Sequence, residues 1–367
     1  MNKILSVYVL FLSVFSILFV QSCSRKHTDT EISLRAPTDT VGFAWNADAL
    51  EAVIQKAEQA EMDSIESEKR MFDKPWSAGI CPHDDHVYAG RVYVHLLRNI
   101  KAKHIVLFGV GHKAWKWGVK DKIILDSFTH WTGPYKPVPV MQEVRNELIN
   151  GLDTSFYCIS NAWHRQEHSI EGIVPFLQYY TKDVEILPII VPYMHWSRID
   201  SIAENLARIF SNIIDDRSWT PGKDIAFIIS TDCVHYGDEG WGGKNYAPFG
   251  ADEQGYIRAV KREFSLIHEH LTGNLEQEKL SSFLYKLVDK DLYTYRITWC
   301  GRFCIPMGLD VLFHLNRIRT GSPISGTLLR YGTSYDLGVL DTGMDTPGTT
   351  APRSIRHWVG YCAIGYR

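Results

Sequence analysis

Net charge is almost missing from this sequence of 367 residues: Lys and Arg total 39 against 42 Asp and Glu, a formal balance of −3. No basic block exceeds a few residues, so the electrostatic footprint of a nucleic-acid partner is absent and no polyanion is expected as ligand. No Gly-x-Gly-x-x-Gly follows a strand-like run and no Walker lysine occurs, which removes the nucleotide-cofactor folds. A Gly-x-Ser-x-Gly elbow is also lacking, so Ser-His-Asp hydrolysis has no support. Repeats, low-complexity tracts and Pro/Gly-rich linkers are missing from Thr40 to Arg367, and a single domain over 41–367 is expected. What the chain does have is apolar: 45% hydrophobic and 12% aromatic residues, with 11 Trp and 18 Tyr, enough for a large core around a pocket.

The N-terminus reads separately. Met1-Asn2-Lys3 followed by the apolar run Ile4 to Val20 is a secretory signal pattern over residues 1–22. Val20-Gln21-Ser22-Cys23 resembles a bacterial lipobox, which would make Cys23 the acylated first residue of a lipoprotein held on a membrane in the cell envelope, outside the cytoplasm. The alternative is a plain secretory signal with an incidental cysteine. Loss of residues 1–22 takes the formal charge from −3 to −4. Residues 23–40 are polar and Thr/Arg-rich, the composition of a flexible tether. Six cysteines remain after Cys23, and their spacing outlines no compact disulfide framework; one bridge at most is expected.

Within the domain, continuous β-branched runs predict strands at 78–81, 104–110, 122–125, 184–191, 224–230, 327–331 and 359–365. Helical periodicity falls at 46–70, 91–100, 140–151, 169–180, 198–213, 252–271 and 275–288. This alternation predicts a three-layer α/β/α domain with a mostly parallel or mixed central sheet.

In such sheets ligands gather at the carboxyl ends of strands. Polar clusters stand there: Cys81-Pro82-His83-Asp84-Asp85-His86, Gly109-Val110-Gly111-His112 and Ser230-Thr231-Asp232 through His235-Tyr236-Gly237. Glu167-His168-Ser169-Ile170-Glu171 opens a helix, and Cys300-Gly301-Arg302-Phe303-Cys304 follows a helical segment. If the first two strands are neighbours, the His83 and His112 imidazoles can meet and bind a transition metal, with a thiolate such as Cys300 as a soft third ligand. A hydrogen-bonded structural role is the alternative for each histidine.

These motifs, in this order, resemble the Memo family, called AmmeMemoRadiSam system protein B in bacteria and related in fold to the LigB-type class III extradiol dioxygenases. The resemblance runs from Val41–Trp45 to Gly360–Gly365. It implies a metal site of His83, His112 and Cys300, with His168, Asp232 and His235 lining the same pocket as acid/base groups. The implied cofactor is a transition metal, Fe(II) or Cu, with Zn as the alternative. Asp232 is read as fixing a ligand imidazole or capping a helix, and Glu171 as a cap or pocket group. Arg302 is read as a bidentate site for a substrate carboxylate or phenolate, or as half of a structural ion pair. Asp84-Asp85-His86 depart from the family's small residues at this point and put Asp85 and His86 at the mouth as substrate contacts, or as merely solvated groups. Phe303 and Cys304 stand where the family commonly has a histidine; Cys304 is read as a second thiol ligand or a redox partner of Cys300.

Three functions follow. One is a metal-dependent oxidoreductase resembling a dioxygenase. The second is a non-catalytic protein holding metal, a small molecule or a peptide in the same pocket. The third is a metal-dependent hydrolase; a Cys300 nucleophile paired with His168 or His235 also stays open.

Overall fold

Six of the sheet's strands are largely apolar runs buried on both faces or nearly so, and their order explains where the polar clusters meet. The computed structural model describes residues 32–72 and 74–367; the signal segment, Cys23 and the first half of the expected tether lie outside the described residues. Residues Ile32–Arg367 cluster as one compact unit. Its main sheet has ten strands. Along the main path they run Gly273–Asn274, Ser325–Thr333, His357–Tyr366, Ala78–Cys81, Ile225–Ser230, His104–Val110, Glu185–Val191, Ile123–Leu125 and Tyr157–Ile159, while His235–Gly237 pairs off His357–Tyr366. The four central strands, Ala78–Cys81 through Glu185–Val191, are parallel; the neighbours on either side of these four are antiparallel to them. The sheet is therefore mixed, with apolar clusters on both faces, as expected for a three-layer α/β protein.

The helices cover those faces with one apolar stripe each. Trp196–Asp216 buries Ile199, Ile202, Ala203, Leu206, Phe210, Ile213 and Ile214, the i, i+3, i+4 spacing of an amphipathic helix. The expected helix over 46–70 is two, Ala47–Ala60 and Met62–Met71. Glu61 between them leaves helical geometry, and its buried carboxylate takes Arg91, Arg330 and His95. One long helix, Cys304–Arg319, carries no signal in the sequence reading. Its first nine residues are all buried, so no polar face gives it a period, and Pro306 and Gly308 read as breakers. Pro306 lies in the first turn, where a missing N–H costs nothing.

Residues 32–40 were expected to be part of a tether and are instead built into the domain. Leu34–Arg35 pairs with His130–Trp131 as a small strand. Arg35 is 1% exposed, stacks on Trp131 with its guanidinium carbon 4.5 Å from the ring centre, and forms an ion pair with Glu171. A charged side chain this deep stays only when paired and hydrogen-bonded, and Arg35 also donates to the carbonyls of His164 and Glu167. No helix of the described residues is long and apolar enough to cross a membrane.

Candidate metal centre

Ala78–Cys81 and His104–Val110 are not neighbours: Ile225–Ser230 lies between them. This helps the site, because the chain leaving the middle strand places Ser230, Thr231 and Asp232 between the two histidine loops. His83 is 2% exposed and its Nδ1 lies 3.1 Å from Ser230 Oγ. That hydroxyl donates to the Ser169 carbonyl, so it can only accept from the ring, and the Nδ1–H tautomer leaves the Nε2 lone pair free. His112 is fixed the same way. Its Nδ1 donates to Glu167 Oε1 at 2.8 Å, and Glu167 Oε2 takes the His112 backbone N–H at 2.8 Å.

Cys300 arrives from the turn that precedes Cys304–Arg319. Gly301 permits that approach, because a Cβ there would sit 2.0 Å from Thr231 Oγ1. The Cys300 Sγ lies 3.8 Å from His83 Nε2. Two ligands at the usual zinc–nitrogen and zinc–sulfur lengths of a tetrahedral site are about 3.6 Å apart. One ligand atom each from His83, His112 and Cys300 falls within 4.8 Å of the other two. The donor set thus fits a single transition ion with little movement. Burial, then Asp232, pushes the Cys300 thiol well above its ordinary value, and burial lowers His83. A cation would reverse the first and suits the second, since it binds thiolate and neutral imidazole.

The remaining predicted residues divide. His168 stacks on His112 with ring centres 4.8 Å apart and has Nδ1 3.4 Å from Asp39 Oδ2. Burial, then His112, lowers its pKa. Asp232 is no helix cap: Oδ1 accepts the His83 N–H at 2.9 Å, and Oδ2 lies 3.4 Å from His83 Nε2 and 3.9 Å from His235 Nε2. Burial, with Asp84 adding, pushes its carboxyl well above the ordinary carboxylate range. His235 is driven down to about 3 by burial and then His112, and its buried Nε2 has no hydrogen-bond partner among the described residues.

Three expected substrate contacts are structural. His86 is fully buried, accepts the Ala44 N–H on Nδ1 at 3.0 Å and donates from Nε2 to the Gly172 carbonyl at 2.7 Å. Glu171 is also fully buried, taking Arg35 and the backbone N–H groups of Thr38 and Asp39. Asp85 reaches a cavity wall, but Oδ2 is held by the Thr350 N–H and hydroxyl at 2.6 and 3.0 Å. Cys304 turns its Sγ to the carbonyls of Ser230 and Gly301, and all six described cysteines are free.

Two functional residues escaped the sequence reading. Glu167 is 2% exposed and accepts four N–H groups, from the His112 backbone and ring, His168 and Ser169. Despite burial, the charge of His112 and these bonds hold it below its ordinary value. Its position beside His168 was the available signal. Asp39 was lost in the supposed tether, and nothing local marks it.

Two cavities meet at His112. The larger, about 760 Å³, is walled by Trp115, Tyr193, Tyr246, Tyr295, Lys244 and Arg302 among others, and no carboxylate lines it. Arg302 stacks on Tyr295 at 3.7 Å and has no ion-pair partner among the described residues, so the structural ion pair expected as one alternative does not form. The smaller, about 320 Å³, holds Asp39, Asp84, Asp85 and Asp232 beside His83 and His168, and no Lys or Arg.

Fold and site together define an α/β protein in which His83, His112 and Cys300 converge at the sheet's carboxyl edge. The Memo-like protein family matches residues 43–342, and the chain belongs to that family. A MEMO1 family protein of Methanosarcina barkeri is 35% identical over 159 residues, 43% of this chain and 54% of that protein, so the chain spans about half of that relative. A MEMO1 family protein of Thermococcus kodakarensis is 26% identical over 306 residues, 80% of this chain and 88% of that one. A solved structure of an uncharacterized protein from Escherichia coli K12 aligns over 78% of this chain and 99% of that chain, at 14% identity and TM-score 0.42, a likeness too weak to carry any argument.

Proposed function

We propose that this Memo-family chain is a metal-dependent oxidoreductase acting on a small anionic aromatic molecule such as a phenolate or aromatic carboxylate. The observation that carries the reading is the convergence of three donors from distant segments, His83 Nε2, His112 and Cys300 Sγ, beside a carboxylate-free aromatic cavity. When bound there, Fe(II) or Cu would supply electron transfer with dioxygen, which no side chain can.

The chain's own residues set up the rest. Arg302, with no ion-pair partner among the described residues, offers a fork to an anionic substrate, while Tyr295 and the other rings stack on its aromatic part and exclude water. His168, partly exposed and backed by Asp39, takes or returns the substrate proton. Asp232 lines the same smaller cavity as His168 and holds the His83 loop through the His83 N–H, so it fixes that imidazole beside the reacting atoms.

The test is oxygen uptake by the metal-loaded full chain with catechols and aromatic carboxylates. Turnover that falls by about 10²–10⁴-fold in His168→Ala with metal content unchanged supports the reading. Metal binding without uptake would leave a sequestering protein instead. We also propose export and acylation at Cys23, supported by the sequence pattern alone; labelling with a fatty acid that fails in Cys23→Ala tests it.

A further inference from the structure

A second polar cluster sits on the helix that begins beyond the Cys300 turn. Asp310 and His314 are four residues apart on Cys304–Arg319, so their side chains rise from one face of it. Asp200 faces them from Trp196–Asp216, and Gln277 from the first turn of Gln277–Leu287. His314 Nε2 lies 2.8 Å from Asp200 Oδ1 and 3.7 Å from Asp310 Oδ2. The Gln277 amide nitrogen stands among all three, 2.7 Å from Asp200 Oδ1, 2.9 Å from Asp310 Oδ1 and 3.2 Å from His314 Nε2.

Asp310 makes the cluster more than a surface network. Its side chain is 0% exposed, and its Oδ2, aimed at His314, is buried with no hydrogen-bond partner among the described residues. An acceptor left bare at depth costs about 1–3 kcal/mol, more when charged. Asp200, 42% exposed, and the partly exposed His314 open the cluster to solvent and give a path for entry.

We propose that Asp200, Asp310 and His314 form a divalent-cation site, separate from the His/His/Cys centre, that ties the three helices together. One ligand atom from each already lies within 4.8 Å of the others. Two carboxylates and an imidazole suit Zn²⁺, Co²⁺ or Mn²⁺. Turning the Gln277 amide by half a rotation brings its oxygen to the place the nitrogen holds, as a fourth ligand. Burial holds the Asp310 carboxyl up at about 8, so loading the site near neutral pH also displaces a proton.

Co²⁺ titration of the full chain separates the two sites, because a Cys-ligated ion shows a thiolate charge-transfer band and an O/N-ligated ion does not. Cys300→Ser is expected to abolish that band and keep one equivalent of band-free Co²⁺. Asp310→Asn and His314→Gln are expected to lose the band-free equivalent, with at least a tenfold drop in affinity, and keep the other. Asp310→Asn retains the shape and the Gln277 bond and removes a buried carboxyl, so it is expected to fold; its melting temperature without metal checks this. The proposal is overturned if Cys300→Ser binds no Co²⁺, or if Asp310→Asn and His314→Gln bind the band-free equivalent as tightly as the parent. Neither result bears on the His/His/Cys centre.

Discussion

Replacing Glu167 by Gln should damage stability and metal binding together, and the size of each effect can be worked from its four bonds. Three donors, the His112 ring and the backbone N–H groups of His168 and Ser169, converge on Oε1 at 2.8–3.0 Å; the His112 backbone N–H takes Oε2. The kindest placement of the new amide keeps its oxygen at Oε1 and turns its NH₂ against the His112 N–H. One buried donor is then unmet, costing about 1–3 kcal/mol, and three charge-assisted bonds become neutral ones, losing about 1 kcal/mol each. The sum, about 4–6 kcal/mol, is a large part of a stability of about 5–15 kcal/mol. Glu167 also orients His112, and loss of such a carboxylate partner lowers metal affinity about 10–100-fold. Urea unfolding and chelator competition measure the two effects. The carboxyl's folded pKa lies below its ordinary value of 4.5, so its contribution is fully present above that pH and fades as pH falls. In Glu167→Gln this part of the acid limb should vanish. A variant within about 1 kcal/mol of the parent and within twofold in metal affinity would refute the reasoning.

Glu263 is fully buried, accepts from the Val234 N–H and Tyr331 hydroxyl, and is pushed by burial from 4.5 to about 7. Its native form therefore prefers the proton, and stability should fall by roughly 1.4 kcal/mol per unit as pH rises between those values, a slope that denaturation of Glu263→Gln should lack. Glu171→Gln breaks the buried pair with Arg35 and should cost about 3–5 kcal/mol. It should also loosen residues 33–39 and slow turnover through Asp39, which hydrogen exchange and kinetics read separately. Gly301→Ala drives a methyl into Thr231 and displaces Cys300, so chelator competition should show weaker metal binding while the fold, checked by circular dichroism, persists.

The sheet was legible because its central strands, such as Glu185–Val191, are unbroken apolar runs that only a doubly covered sheet can bury. Strand-end logic pointed to His83, His112 and Asp232 and already offered Cys300 as a soft third ligand, the family resemblance implied the same set, and the structure brings these residues together. Cys304–Arg319 was not legible, because burial on all sides of its first nine residues erases the period that marks a helix. The function of Arg35, Asp39 and Glu171 was hidden for another reason. Each depends on contacts more than a hundred residues away, and a polar stretch such as 32–40 looks the same whether it is solvated or held by one buried ion pair. His86 shows the reverse error: a polar residue close to His83 in sequence is expected at the pocket mouth but is held by the Ala44 and Gly172 backbones, while Asp85 does reach the cavity wall with one oxygen tied to Thr350.

X-ray absorption at the metal edge of the loaded full chain tests the central centre most directly. Two imidazole nitrogens at about 2.0–2.1 Å and one sulfur at about 2.3 Å are predicted, with the sulfur shell lost in Cys300→Ser. A spectrum with no sulfur, or one that Cys300→Ser leaves unchanged, would contradict a metal held by His83, His112 and Cys300.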